Sequence, residues 1–376
     1  MLAGTTTWAE IDLNALASNV SAFKRHVGDN VEIIAVVKAN AYGHGAVPVA
    51  RTALAAGATR LAVHRAAEGV ELRRARIEAP ILIMGYTPPE GAKTVVRWRL
   101  TPSLINGEVA QALSREAVRA GSPVPVHVKV DTGMSRWGLF PGEVVELLHA
   151  LAKLPGIRLE GIFTHFATAD WADATHVIGQ LDLLNGVVAE ARRAGFVVPM
   201  VHAANSAATM RLPVSHCDAV RVGIAMYGLE PSCEWPPVFP LTPVLTLKST
   251  VNRVRRLPPG SAIGYGRAFI TREPTVAALV PVGYGDGYHR SLSNKGCVLI
   301  RGHRAPILGR VCMDQCVVDA TRIPGVAQDD EVVLIGRQGR EAISAEEVAK
   351  WAGTINYEVT TALLPRVSRL FVGKDF

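Results

Sequence analysis

The stretch Ile33-Ile34-Ala35-Val36-Val37-Lys38-Ala39-Asn40-Ala41-Tyr42-Gly43-His44-Gly45 sets a lysine at the end of an apolar run and a glycine-rich turn behind it. A short run rich in β-branched residues reads as a strand buried on both faces. A lysine at the carboxyl end of such a strand stands where α/β proteins place their chemistry. Working outward, short apolar runs alternate with longer amphipathic stretches up to about residue 225. Eight strands are expected: Val31–Lys38, Arg60–His64, Pro80–Met84, Leu100–Leu104, Val124–Val130, Leu159–His165, Met200–Ala204 and Ala219–Ile224. Between them lie helical patterns over Ala66–Ile77, Gly107–Ala120, Pro141–Leu151 and Thr175–Ala194. Strand and helix repeated in this way predict an α/β chain with an N-terminal (β/α)8 TIM-like barrel. A doubly wound nucleotide-binding sheet is the rival, but no G-x-G-x-x-G follows the first strand.

The chain has 376 residues, more than one ordinary core accommodates, so two domains are expected. Proline crowds residues 231–243, Pro-Ser-Cys-Glu-Trp-Pro-Pro-Val-Phe-Pro-Leu-Thr-Pro, and stops helices and ladders alike. Beyond it, strand-like runs appear at Val244–Val254, Thr275–Val282, Cys297–Arg301, Val311–Val318 and Glu331–Ile335. A single helix near Ser344–Trp351 begins Ser-Ala-Glu-Glu, a capping-box pattern. The expected organisation is a barrel over residues 1–235 and a mainly antiparallel β domain over 236–376, with a first strand near 5–13 able to pack with the latter.

Composition narrows the function classes. The chain is 49% hydrophobic and 19% charged, a globular balance. No apolar run is long enough to span a bilayer, and Glu10 and Asp12 in the first apolar stretch argue against a targeting peptide. Five cysteines make no disulfide framework, so a cytoplasmic location is expected and the sequon at Asn19 goes unused. The net charge of +7 comes from dispersed arginines, not from a basic patch interleaved with aromatics, so no nucleic-acid or membrane partner is expected.

The active site of such a barrel lies at the carboxyl ends of its strands. Reading off those ends gives Lys38 and Tyr42, then Lys129, Asp131 and Arg136, then Thr164 and His165, then Asn205 and Ser206, and finally Arg221, Gly223 and Ile224. A lysine together with Gly and Ser positions able to hold a phosphate suggests a pyridoxal phosphate Schiff base.

At this point a resemblance becomes close. Val-Val-Lys-Ala-Asn-Ala-Tyr-Gly-His-Gly at 36–45 resembles the cofactor-lysine signature of the alanine racemases. Asp-Thr-Gly-Met-Ser-Arg at 131–136, His165-Phe166-Ala167, Ala204-Asn205-Ser206 and Arg221-Val222-Gly223-Ile224 with Tyr227-Gly228 follow in family order. So do Gly264-Tyr265-Gly266-Arg267, Val282–Tyr288, Gly309–Gln315 and Ile355-Asn356-Tyr357-Glu358, covering nearly the whole chain. The resemblance implies interconversion of L- and D-alanine with pyridoxal 5'-phosphate, supplying D-alanine for peptidoglycan. It makes Lys38 the cofactor lysine and one base, and Tyr265 the base on the other face. Racemisation needs both, because the proton leaves from one side and returns from the other. Arg221 would face the pyridine nitrogen and, being able only to donate, leave it unprotonated. His165 would link Arg221 to Tyr265. Tyr42, Asn205, Ser206, Gly223, Ile224 and Tyr357 complete the cofactor site. Arg136 would grip the substrate carboxylate with the N–H of Met313. Lys129 matches a lysine that can carry a carbamate. The family also implies a head-to-tail homodimer whose active sites are shared.

Three other motifs fail on context. Asp131-Thr132-Gly133 has no twin, as an aspartic protease requires. Cys312 and Cys316 lack a second ligand pair, so no metal is expected. The glycines at 283, 285 and 287 are wrongly spaced for a dinucleotide. A racemase for serine or a broader set of amino acids remains open, as does, more remotely, a non-catalytic pyridoxal phosphate carrier. The resemblance limits such carriers to the first domain, whereas this chain has the Tyr265 and Met313 segments. A decarboxylase of related architecture would use a β-domain cysteine in a different motif. Gly285, where an alanine is expected, and the ending Pro365–Arg369 are mild departures from the family pattern.

Overall fold

A computed structural model describes residues 4–373. The chain forms two compact units. Among the described residues, one comprises Leu16–Ala41 and Ala46–Leu241; the other comprises residues 4–15, the insert Tyr42–Gly45 and residues 242–373.

The first unit is a closed barrel of eight parallel strands, β2 to β9. They are β2 Glu32–Val36, β3 Arg60–Val63, β4 Ile81–Ile83, β5 Thr101–Leu104, β6 Val124–Lys129, β7 Ile157–Phe163, β8 Met200–His202 and β9 Ala219–Val222. Closure runs through β2 and β9, where Ile34 lies opposite Arg221. All eight expected strands are present; most end one to two residues early, β5 starts one residue late, and β7 is shifted two residues towards the N-terminus at unchanged length. Ile33, Ile34, Leu61, Ile81 and Ile83 are fully buried, each contributing roughly 1.5–3 kcal/mol of transfer free energy. The helix Gly107–Ala120 has the expected bounds because both ends are marked. Asn106 accepts from the Val109 N–H at 3.2 Å, and Gly121 turns the chain at φ 61°. Residues 236–241 stay with this unit, and Phe239 sets its ring edge-on to Phe23 at 4.9 Å.

In the second unit, β1 (Thr7–Asp12) lies between β10 (Leu245–Thr250), antiparallel, and the strand Ser368–Val372, parallel. Asp12 Oδ1 then accepts from the N–H groups of Asn14 and Ala15, starting the helix Leu13–Val27. The expected strand Val244–Val254 is two strands. β10 ends at Thr250, and β11 (Arg253–Leu257) enters a different sheet, because the Val251 and Asn252 N–H groups bond to Asp330 and Leu279 on separate ladders. The expected strand Val311–Val318 is mostly loop; only Cys316–Asp319 pairs. Ser344 caps its helix as its pattern predicts, accepting from the Glu347 N–H at 3.1 Å. A second helix, Asn356–Thr361, follows where only one was expected. It is six residues long, too short for a periodic pattern to show. No helix among the described residues is long and apolar enough to cross a membrane.

Candidate active site

Lys38 leaves β2 into a segment that no periodicity forecasts. Ala39, Asn40, Ala41 and Tyr42 all have φ between 52° and 53°, one turn of left-handed helix without a glycine. Such a turn costs roughly 1–2 kcal/mol per residue. Local hydrogen bonds offset it: Asn40 Oδ1 accepts from the Ala46 N–H at 2.8 Å, and Glu68 Oε1 accepts from the Ala39 N–H at 2.7 Å. Glu68 Oε2 in turn holds the N–H groups of His64 and Arg65, so one carboxylate braces the turn that aims Lys38. Burial, then the charge of Arg136, lowers the Lys38 pKa, with Glu68 opposing.

The loop after β6 carries Arg136. Asp131 Oδ1 accepts from the N–H groups of Gly133, Met134 and Ser135, each at 3.0 Å. Burial pushes that carboxyl up, but the three N–H groups outweigh it and hold the pKa below its ordinary value. At Gly138 a Cβ would stand 2.6 Å from the Asp131 nitrogen, so only glycine lets the loop close, and Arg136 is left exposed. Lys129 is buried at the end of β6, its Nζ 4.9 Å from the Phe163 ring centre. Burial, then Arg221 and Arg136, pushes its pKa down to about 7.

Arg221 is buried on β9. Its Nη2 donates to the carbonyls of Thr164 (2.7 Å) and Ala203 (2.8 Å) and reaches His165 Nδ1 at 3.3 Å. Its Nη1 donates to His202 Nδ1 at 2.7 Å. The Nε–H and one Nη1–H take no partner among the described residues, so donors stand ready for an acceptor. Gln180 holds the His165 segment by accepting from the Ala167 N–H and donating to the His165 carbonyl. His165 titrates well below its ordinary value, through burial first and then Arg221 and Lys129. Ser206 Oγ accepts from the Gly223 N–H at 2.9 Å, while Asn205 caps the helix Ser206–Arg211 through the Ala208 N–H. Ile224 opens the short 3-10 turn that follows.

The remaining expected residues belong to the second unit. There the Tyr42 and Tyr357 rings lie 6.2 Å apart, and burial pushes the Tyr42 phenol up. Tyr265 is 72% exposed on a turn flanked by Gly264 and Gly266, both at positive φ. Met313 is 53% exposed, on a loop whose carbonyls at Cys312 and Met313 take the N–H groups of Tyr284 and Gly285. At Gly283 a Cβ would meet the Cys312 oxygen at 2.2 Å, which ties the two glycine-containing motifs together. Sequence reasoning missed His127, Glu160, His202 and Glu68. His127 had a usable signal: it precedes Lys129 by two residues in one strand and therefore shares its face.

Comparison with known families settles the relationship. The model of the alanine racemase N-terminal domain matches residues 11–231, and that of the C-terminal domain matches 244–371. This chain belongs to the alanine racemase family. An alanine racemase of Symbiobacterium thermophilum is 48% identical over 370 residues, 98% of this chain and 97% of the relative. A crystal structure of alanine racemase from Bacillus anthracis with bound L-Ala-P superposes with a TM-score of 0.93 at 40% identity, covering 99% and 96% of the two chains. A histidine racemase from Leuconostoc mesenteroides superposes at 0.91 with 27% identity, covering 99% of each chain. The chemistry of the barrel residues fits the cofactor expected from the sequence. A lysine with a disfavoured ammonium, a buried arginine with donors to spare and a Ser206–Gly223 cradle suit an aldehyde, a ring nitrogen and a phosphate.

Proposed function

We propose that this racemase interconverts L- and D-alanine by a two-base mechanism, with pyridoxal 5'-phosphate held on Lys38. The observation that carries the mechanism is Arg221, a buried cation with uncommitted donors on the strand beside that of Lys38. Pyridoxal phosphate, when bound, supplies the conjugated ring that takes up the electron pair left at the substrate Cα. Tyr42, Ser206, Gly223, Ile224 and Tyr357 would hold its phosphate, and Asn205 sets the helix that presents Ser206. Arg221 would donate to the ring nitrogen and, having no proton to give up near neutral pH, would leave it unprotonated. The residue's role there would be to favour return of the proton to Cα over side reactions. His165 accepts from Arg221 and passes a hydrogen bond towards Tyr265.

Lys38 Nζ exchanges the Cα proton on one face and Tyr265 Oη on the other. Arg136 grips the substrate carboxylate together with the Met313 N–H, and Lys129, as a carbamate, supplies an anion beside Arg136. Tyr265 and Met313 come from a second copy of the chain, so the working unit is a homodimer. The exposure of Tyr265, Met313 and Tyr284 on the β unit supports this reading. The D-alanine product serves peptidoglycan assembly.

The test is borohydride reduction of the cofactor-loaded protein, peptide mapping, and a racemisation panel of alanine, serine and histidine. Label on Lys38 with alanine the preferred substrate is expected. Label on another lysine, or serine or histidine turned over faster than alanine, overturns the proposal.

A further inference from the structure

Arg221 is a buried cation that no carboxylate touches among the described residues, which calls for an explanation of how its charge and orientation are held. The nearest hydrogen-bonded path to an anion runs through two buried histidines. Arg221 Nη1 lies 2.7 Å from His202 Nδ1, His202 Nε2 lies 2.9 Å from His127 Nδ1, and His127 Nε2 lies 3.2 Å from Glu160 Oε2. Glu160 is on β7 and is tied to Arg60 at 3.3 Å and Arg158 at 3.6 Å.

The direction of every bond in this path follows from valence. A guanidinium only donates, so His202 Nδ1 accepts and its proton sits on Nε2. That Nε2–H donates to His127 Nδ1, which therefore carries no hydrogen. The His127 proton sits on Nε2 and is given to the Glu160 carboxylate. A doubly protonated His127 would require His202 to accept at both nitrogens, leaving it an imidazolate, so both rings are neutral and each is confined to one tautomer. The packing is built for this. At Gly161 a Cβ would lie 2.6 Å from His127 Nδ1, so only glycine admits that ring. Phe163 stacks on His202 with centroids 4.7 Å apart and planes 5° from parallel.

We propose that Glu160 is a positioning residue that locks the tautomers of His127 and His202 and, through them, the donor geometry of Arg221. Without the Glu160 acceptor, His127 can carry its proton on Nδ1, where it opposes the His202 Nε2–H. His202 then turns or switches tautomer, and Arg221 loses the acceptor that fixes its Nη1. The effect on the ring nitrogen rests on the reading of Arg221 given above; the tautomer lock does not. The hydrogen bond from His127, followed by the charge of Arg60, holds the Glu160 pKa down to about 2 against burial, so the acceptor is a carboxylate at any working pH.

The experiment is nitrogen-15 NMR of histidine-labelled holoenzyme, together with the ring-nitrogen resonance of nitrogen-15-labelled cofactor. The unsubstituted protein should show His127 and His202 protonated on Nε2 alone. Glu160→Gln retains an oxygen acceptor and should keep both patterns. Glu160→Leu should mix the His127 tautomers, move the ring-nitrogen resonance and lower kcat on the order of tenfold, the scale of one lost charge-assisted bond, with KM little changed. An Nδ1 proton on either histidine in the unsubstituted protein overturns the lock, even if the leucine variant does not fold. Unmixed tautomers in Glu160→Leu also overturn it. Mixed tautomers with an unmoved ring resonance overturn the coupling to Arg221, provided Arg221→Lys moves that resonance. If Arg221→Lys leaves it unmoved, the reading of Arg221 itself fails.

Discussion

Lys129 shows how one buried residue changes its chemistry. At a pKa of about 7, roughly half the side chain is a neutral amine at neutral pH, against about one part in three thousand for an ordinary lysine. A neutral Nζ can attack the carbon of CO2, forming an N–C bond and releasing one proton. Labelled bicarbonate should therefore give a carbamate carbonyl resonance that disappears in Lys129→Arg, whose guanidinium stays charged and cannot form the adduct. No such resonance at neutral pH would leave Lys129 unmodified, with its ammonium form opposed by the charges of Arg221 and Arg136. Tyr265 tests the opposite face. Tyr265→Phe should lose most racemisation in both directions while slowing α-hydrogen exchange selectively for L-alanine, following the family's assignment of faces. Equal slowing for both enantiomers would mean that one group serves both faces.

The left-handed turn behind β2 is the element on which the placement of Lys38 depends. Asn40 tolerates positive φ better than alanine and also holds the Ala46 N–H. Asn40→Ala should therefore cost about 1–2 kcal/mol, read as a lower urea midpoint at unchanged slope. It should also lower the yield of Lys38 label in the borohydride experiment; an unchanged midpoint would mean that the turn is held elsewhere. This turn also shows the limit of sequence reading. The barrel strands were legible because each is an apolar run of strand length, and the helix Gly107–Ala120 because Asn106 and Gly121 mark its ends. Ala39-Asn40-Ala41-Tyr42 gave no sign of a left-handed turn, since such turns are normally announced by glycine and here the strain is offset by Glu68, twenty-nine residues from Ala39. The break between β10 and β11 was hidden likewise. Val251 still bonds to Asp330, and the change of sheet comes at the next residue, where the Asn252 N–H bonds to Leu279. Strand ends and chain order pointed to Lys38, Lys129, His165 and Arg221 as candidates; nothing pointed to the histidines behind Arg221, because a buried histidine looks the same in a relay and in a plain core.

Across the whole molecule, the buried histidines make stability depend on acid. His127, His165 and His202 are all held below 6.5 by burial first, with Arg221 adding to it. Unfolding lets them bind protons, so their contribution is complete above pH 6.5 and is lost as pH falls below it. Three such groups give a slope approaching about 4 kcal/mol per pH unit, read from denaturant midpoints. Midpoints that stay flat down to about pH 5 would contradict this. Assembly gives the final test. If Tyr265 and Met313 complete the site of a second copy, two different defects can cancel in one of the two sites of a mixed dimer. Lys38→Ala and Tyr265→Ala chains, each inactive alone, should regain activity when mixed under conditions that allow exchange. Random pairing makes half the dimers mixed, and each of these carries one doubly damaged site and one intact site. A fully exchanged equal mixture should therefore reach about a quarter of parental activity, as expected for two equivalent composite sites. Exchange verified by mass, with no recovery, would mean that each chain builds its own site.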